Sequence, residues 1–363
     1  MGDEDKNRNK DKSVIDSEPS KVSYENLGPF TGLGGNSVFL RLSAILLLVW
    51  FIFSTLTSYC NRKQEMSVTK DKGIKTRLLL DWTPNPNHIV LYAGIEQGIF
   101  KKYGIDLEIL KIHDPADTVP YLAAQQADIA LHYSPYTLQA LSRGQELRLV
   151  GIIIDKPTTS ILSLAKNNIH KLEDLNNRII GYTTGSTSRV YQQILAEKGI
   201  FPKEYRKLNF DLITALTAGI VDAVSGCSWN IEPHQLKSMG IESSYIKLEE
   251  LGVPDYYELV VVGHAKLLES VPGLTSNMKL ALQEAVDYCR SYPKLAFNDY
   301  CKLQPEKTPE TISWEKYAWN ATLPLLPRSQ NFDHKLIQNY IDWQKKYGLL
   351  PEGFQIKQNM IAE

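Results

Sequence analysis

Two segments, "LAAQQADIA" (Leu122 to Ala130) and "LTAGIVDAV" (Leu216 to Val224), do most to constrain the fold. Both read Leu-x-Ala-x-x-x-Asp, a helix that runs through an aspartate into an apolar strand. Around each, short apolar runs alternate with helical patterns. "TRLLLDW", "DLEILKI", "DIALHY" and "LRLVGIIID" predict strands. Between them, "VLYAGIEQGIFKKYG" predicts one helix closed by Gly104, and "DTVPYLAAQQ" and "YTLQALSRG" predict two more. After "IHKLEDLNN" the grammar restarts: "RIIGYTT" and "IVDAVSGCSW" as strands, "TSRVYQQILAEKG" and "NFDLITALTAG" as helices. Such alternation predicts an α/β fold with a mostly parallel sheet. Its repetition predicts two similar lobes, one over 75–160 and the other over 161–262, with 263–363 returning to the first lobe as a mainly helical tail.

The 363 residues suffice for about two domains. A net charge of −1 gives no electrostatic footprint for nucleic acid. Four cysteines (Cys60, Cys227, Cys289, Cys301) form no CxxC pair, so neither a zinc nor a redox motif is present. Spacing leaves open whether Cys289 and Cys301 pair.

Residues 1–37 are polar without an apolar period and read as a disordered tail. From Leu42 to Leu56 the chain is almost wholly apolar, with Arg41 before the run and Arg62 and Lys63 after it. The core of that run matches an export signal; Val38 to Tyr59 is long enough for an anchor. Cys60 follows directly, a placement that resembles a bacterial lipoprotein, although Tyr59 is bulky for the cleavage site. A lipidated Cys60, a retained anchor over 38–60 and plain cleavage all deliver the rest of the chain outside the cytoplasm, with 61–74 as a tether.

Ligands of open parallel sheets bind beyond the carboxyl ends of the strands. Four loops stand there: "DWTPNPNH", "HYSPY", "TTGSTS" and "CSWNIE". In the first, Pro84 and Pro86 stiffen the chain that presents Trp82, a flat surface for stacking. Asn85, Asn87 and His88 can donate and accept; His88 equally suits capping of the next helix. Tyr133 offers a second aromatic wall or an ordinary structural tyrosine. Gly185, Ser186 and Thr187 open a helix, where free N–H groups favour a polar ligand atom and hydroxyls serve as N-caps. Trp229 and Glu232 complete the set, Glu232 either accepting from an amidine-like donor or complementing a helix dipole. Tyr256 and Tyr257 fall where a hinge would close the cleft. No GxSxG, HExxH or paired-carboxylate motif occurs, and no metal or cofactor site is expected.

The stretch "DWTPNPNHIVLYAGIEQGIFKKYGIDLEI", supported by "NIEPHQLKSMGI" and "DYYELVVVGHAKLL", resembles the thiamine-pyrimidine precursor family over roughly Lys75 to Phe354. That family holds ThiY-like solute-binding proteins of ABC importers, with riboflavin-binding relatives, and the fungal-type pyrimidine synthase. The resemblance implies a type II periplasmic-binding fold, two α/β lobes with the ligand between them. It carries ligand contact to Trp82, Asn85, His88 and Glu232, then to Tyr133, Trp229, Gly185 and Ser186. It implies no catalytic residue here. The synthase's Schiff-base lysine is replaced by His132 and its consumed histidine by Tyr136, and an imidazole cannot form the bond a lysine amine forms. Departures at Gly181-Tyr182-Thr183 and Cys227-Ser228 bear on which ligand is bound. The implied protein is a monomer at the outer face of the cytoplasmic membrane that hands a thiamine-related pyrimidine to an ABC permease. A flavin or sulfonate ligand and a divergent synthase activity are the competing expectations.

Overall fold

A computed structural model describes residues 73–111, 117–182, 186–208 and 212–362. All belong to one compact unit, Asn61–Glu363. The polar tail, the apolar segment, Cys60, the tether through residue 72 and Gly185 lie outside the described residues; Ile74, expected in the tether, already begins the first strand. Among the described residues no helix is long and apolar enough to cross a membrane.

Strands β1 (Ile74–Leu79), β2 (Ile105–Leu110), β3 (Ile129–Tyr133), β4 (Leu147–Ile154) and β10 (Leu259–His264) form one sheet in the order β2-β1-β3-β10-β4. Strands β5 (Thr159–Leu164), β6 (Ile179–Tyr182), β7 (Glu204–Lys207), β8 (Ala223–Ser228) and β9 (Ser243–Lys247) form the other, in the order β7-β6-β8-β5-β9. The orders match position for position. In each sheet three strands run parallel and the fourth in line is antiparallel to both neighbours: β10 between β3 and β4, β5 between β8 and β9. Central strands buried on both faces read as unbroken apolar runs, as in Leu78–Leu80 and Val260–Val262, all 0% exposed.

The sequence echo is a structural repeat. Asp128 accepts from the amide of Arg77 at 2.7 Å, and Asp222 accepts from the amide of Ile179 at 2.8 Å. Each aspartate also donates its own N–H back, to Arg77 O and Ile179 O. The carboxylate thus stitches the third strand in line of each sheet to the second, β3 to β1 and β8 to β6, satisfying a backbone donor that would otherwise be orphaned.

The chain leaves the first lobe after β4, enters the second through β5, and returns through β10. Two crossovers therefore join the lobes, near 155–158 and 252–258. Buried Glu258 binds them together. It accepts from Thr158 N at 2.6 Å, Thr159 N at 3.3 Å, Thr159 Oγ1 at 3.0 Å and the Tyr256 hydroxyl at 3.2 Å. Burial raises its pKa.

Several expectations need correction. β10 lies in the first sheet, so the return precedes residue 259 rather than falling at 263, and the second lobe begins with β5 at Thr159 rather than at 161. Strands β5 and β7 carry no distinct signal in the sequence. The helix expected to end at Gly104 is two: α1 (Ile89–Glu96) and α2 (Ile99–Lys102), broken at Gly98, whose φ of +68° suits glycine. Cys289 and Cys301, whose pairing the spacing leaves open, are free thiols. The remaining helices are α3 (Thr118–Ala123), α4 (Ser134–Ser142), α5 (Ser186–Glu197), α6 (Leu212–Thr217), α7 (Glu232–Ser238), α8 (Ala265–Ser270), α9 (Leu274–Ser291), α10 (Pro293–Lys302), α11 (Pro309–Thr322) and α12 (His334–Lys346). The tail packs back as expected, with α9 and α10 against α1. Helix α11 goes further: it touches both the 86–88 turn of the first lobe and α7 of the second.

Candidate ligand-binding cleft

Everything in the loop after β1 turns on Asp81. This carboxylate is 3% exposed, and its Oδ1 lies 2.8 Å from His88 Nε2. The other ring nitrogen, Nδ1, accepts from the amide of Asn85 at 3.2 Å. With Nδ1 accepting, Nε2 carries the proton and donates to Asp81. Asn85 completes a reciprocal cap: its side-chain oxygen accepts from Asn87 N at 2.9 Å while Pro86 opens the turn. His88 is therefore fully buried and both ring nitrogens are used inside the protein, so the direct ligand contact expected of it gives way to bracing of the loop. Trp82, at 37% exposure, is the large side chain this braced loop presents.

Tyr133, at the end of β3, lies within electrostatic reach of the same Asp81, of Glu258 and of Glu232 on the other lobe; burial first, then these carboxylates, push its pKa well up. Its ring meets Tyr136 edge-on at 6.4 Å. Asp81 thus bears on two of the expected ligand groups, Trp82 by way of the loop and Tyr133 through its charge. The sequence signal was a charged residue immediately after an apolar strand, where burial is certain and a partner is needed.

From the second lobe, Glu232 is the first residue of α7 and accepts from Ser228 N at 2.7 Å. Burial pushes its carboxyl up to about 7, opposed by hydrogen bonds from its own amide and that of Ser228. Trp229 is placed differently from expectation. Its indole N–H donates to Pro157 O at 3.1 Å in the crossover, its ring stacks on Tyr245 at 6.2 Å, and Lys247 Nζ sits 4.3 Å above it. It staples the second lobe to the crossover. Tyr256 is buried, stacked on Tyr340 at 4.4 Å with its hydroxyl on Glu258, and belongs to the crossover rather than to an open wall. Ser186 and Thr187 open α5, as the helix-start reading required.

One residue not singled out from sequence joins the lobes. Asn230 is fully buried, and its Nδ2 donates to Asn87 Oδ1 at 2.9 Å and to Thr322 Oγ1 at 2.8 Å. His132, where the resemblance would place the synthase's lysine, is buried with Nδ1 2.8 Å from Thr137 Oγ1, and burial pushes its pKa down to about 4. It is a neutral imidazole held within the protein.

Two α/β lobes of matching strand order, joined by two crossovers with polar and aromatic loops facing between them, define the fold of two-lobed solute-binding proteins. Solved structures agree. The alkanesulfonate-binding protein SsuA of Xanthomonas axonopodis pv. citri superposes with a TM-score of 0.60 at 15% identity, over 80% of this chain and 99% of its own. The family model described as NMT1/THI5 like matches residues 85–296, and the chain belongs to that family. A Haemophilus influenzae protein named for thiamine biosynthesis is 30% identical, over 78% of this chain and 90% of its own. The formylaminopyrimidine-binding protein of Halalkalibacterium halodurans is 28% identical, over 73% and 79%. The 4-amino-5-hydroxymethyl-2-methylpyrimidine phosphate synthase of Uromyces fabae is 24% identical, over 77% and 85%.

Proposed function

We propose that this chain is the solute-binding component of an ABC importer and captures a thiamine-related pyrimidine of the aminopyrimidine or formylaminopyrimidine type. The observation that carries the reading is a braced loop presenting Trp82 on one lobe, with Tyr133 of that lobe within electrostatic reach of Glu232 on the other. Trp82 stacks on the flat ring, which adds about 0.5–1.5 kcal/mol beyond area burial. Asn85 and Tyr133 offer polar contacts at its edge, and Glu232 accepts from the exocyclic amine. The backbone N–H groups of Ser186 and Thr187, where α5 begins, would meet the ligand's polar substituent.

A ligand that touches both lobes only when they are shut shifts the population toward closure, and the closed form is what a permease would read. The protein acts as a monomer at the outer face of the cytoplasmic membrane, held there through 38–60 or a lipidated Cys60. No covalent step is part of this function, because the position where the resemblance would place the synthase's lysine holds the buried, neutral His132.

Calorimetry of the full-length chain with formylaminopyrimidine, riboflavin, an alkanesulfonate and pyridoxal phosphate tests it. Stoichiometric pyrimidine binding is expected, tightened by stacking and two-lobe contact to about micromolar or better, near −8 kcal/mol. Binding of riboflavin or the sulfonate alone would replace the ligand class. An aldimine with pyridoxal phosphate would overturn the transport reading.

A further inference from the structure

The Trp82 loop is held from behind by a group outside the stretch that the family model matches. Lys307 lies between α10 and α11, beyond residue 296. Its ammonium donates to Pro84 O at 2.8 Å and pairs with Glu315. It also sits 5.0 Å above the Tyr300 ring. Both members of the pair are buried, with side chains 11% and 1% exposed. Glu315 Oε1 takes a further hydrogen bond from the Tyr300 hydroxyl at 3.2 Å. The ammonium is thus divided among a carboxylate, a ring face and one loop carbonyl.

We propose that Lys307 is a positioning residue for the cleft, fixing the Trp82–His88 loop through the Pro84 carbonyl and making α11 a third wall of the site. This inference rests on the ligand-binding reading above and deepens it.

Three observations carry the argument. A buried ion pair contributes little net stability compared with apolar side chains of the same volume, so what this one supplies is geometry. The carbonyl it grips is that of Pro84, between Trp82 and Asn85, in a loop whose two prolines have no N–H to donate. The same helix α11 reaches the opposite lobe, where Thr322 accepts from Asn230 while Asn230 also holds Asn87 of the loop. The loop is therefore gripped on both sides of Asn85 by groups that α11 anchors. With Asp81 and His88 bracing it from within, the indole is presented in one place.

The test compares wild type, Lys307→Met, Lys307→Arg and the double variant Lys307→Met/Glu315→Gln, all as the full chain. The double variant removes both charges, so no unpaired buried carboxylate is left to unfold the protein. Two readouts are taken: affinity for formylaminopyrimidine, and hydrogen exchange of the amides of Asn85, Asn87 and His88 without ligand. Both Met variants are expected to lose affinity roughly tenfold and to exchange those three amides about tenfold faster, the scale of one lost charge-assisted hydrogen bond. Exchange in the sheets should stay unchanged, and Lys307→Arg should recover part of both losses. Unchanged loop amides, or a uniform acceleration across the whole protein, would overturn the proposal. Loop amides that loosen in a protein whose wild type does not bind the pyrimidine would uphold the brace and remove the proposed ligand instead.

Discussion

The two faces of the cleft are built on the same strand order and do opposite things with it. On the first lobe the loop after β1 is bound to itself. Asp81, His88 and Asn85 use their polar atoms on one another, and what remains facing outward is an indole. On the second lobe the segment after β8 is bound to other elements. Trp229 holds the crossover at Pro157, Asn230 holds the first lobe, and what is left for the cleft is the Glu232 carboxyl, raised to about 7 by burial. One face is a preformed surface that needs no rearrangement to bind. The other is a titratable group whose state the ligand can change. In the proposed binding cycle, preorganisation on one lobe would lower the cost of binding and contact on the other would supply the coupling to closure.

The largest expected effect breaks the preformed face. Asp81→Leu leaves the His88 Nε2–H buried without its carboxylate acceptor. One fully buried donor stranded from a carboxylate costs about 3 kcal/mol, a fall in melting temperature of roughly 6 °C for a chain of this size. Asp81→Asn keeps an acceptor and should lose about half of that. Calorimetric melting of both variants checks it; equal melting of Asp81→Leu and wild type would mean the loop does not depend on the carboxylate.

Trp82→Ala comes next and separates presentation from stability. Removing a stacked indole should weaken formylaminopyrimidine binding by about 2 kcal/mol, roughly thirtyfold. The side chain is already 37% exposed, so melting should move by less than about 1 kcal/mol. A loss of affinity matched by an equal loss of stability would make Trp82 a packing residue.

This contrast also explains what could be read from sequence. The βα alternation and the two Leu-x-Ala-x-x-x-Asp segments were legible because their causes are local: apolar periodicity, and an aspartate that pairs with the neighbouring strand in both lobes. Strand β5 was not legible, because "TSILSL" owes its place to antiparallel partners β8 and β9, far along the chain. The site divided along the same line. Trp82 and Glu232 stand at strand ends, where position alone suggests a ligand role. His88 reads as a contact because its burial depends on the partner Asp81, and Trp229 reads as another because nothing local signals its bond to Pro157. Asn230 and Lys307 act on residues more than a hundred positions away, and no spacing rule reaches them.

The carboxyl on the second face makes the third prediction, one of pH. In the folded chain Glu232 keeps its proton up to about 7, against 4.5 for an ordinary glutamate. Between those values the folded state binds more protons than the unfolded one. Its burial therefore costs stability progressively as pH rises through that window, at up to about 1.4 kcal/mol per pH unit. An amine donor on the ligand favours the ionised form, so affinity should rise up to about tenfold per unit as pH approaches 7 and level off above it. Glu232→Gln should flatten both profiles and be more stable than wild type above pH 7 by about 1–3 kcal/mol. A pyrimidine affinity independent of pH in wild type between 5 and 8 would remove Glu232 from the site.

The smallest effect falls on the contact that joins the two faces. Asn230→Ala removes two hydrogen bonds, to Asn87 and to Thr322, which together would cost about 2 kcal/mol. Two features offset that. Asn230 Oδ1 is buried with no hydrogen-bond partner, so its removal relieves a desolvation cost of about 1 kcal/mol or more. Thr322 already donates its hydroxyl proton to Ala318 O at 2.9 Å, so it loses an incoming bond and no donor is stranded. The net loss should be about 1 kcal/mol or less, near 2 °C in melting temperature. Ligand affinity should respond in the same small measure, because the Asp81–His88 brace holds the loop without Asn87's help. A drop in affinity as large as that of Trp82→Ala would show that the two faces are not independent, and that the presentation of the indole is set from across the cleft.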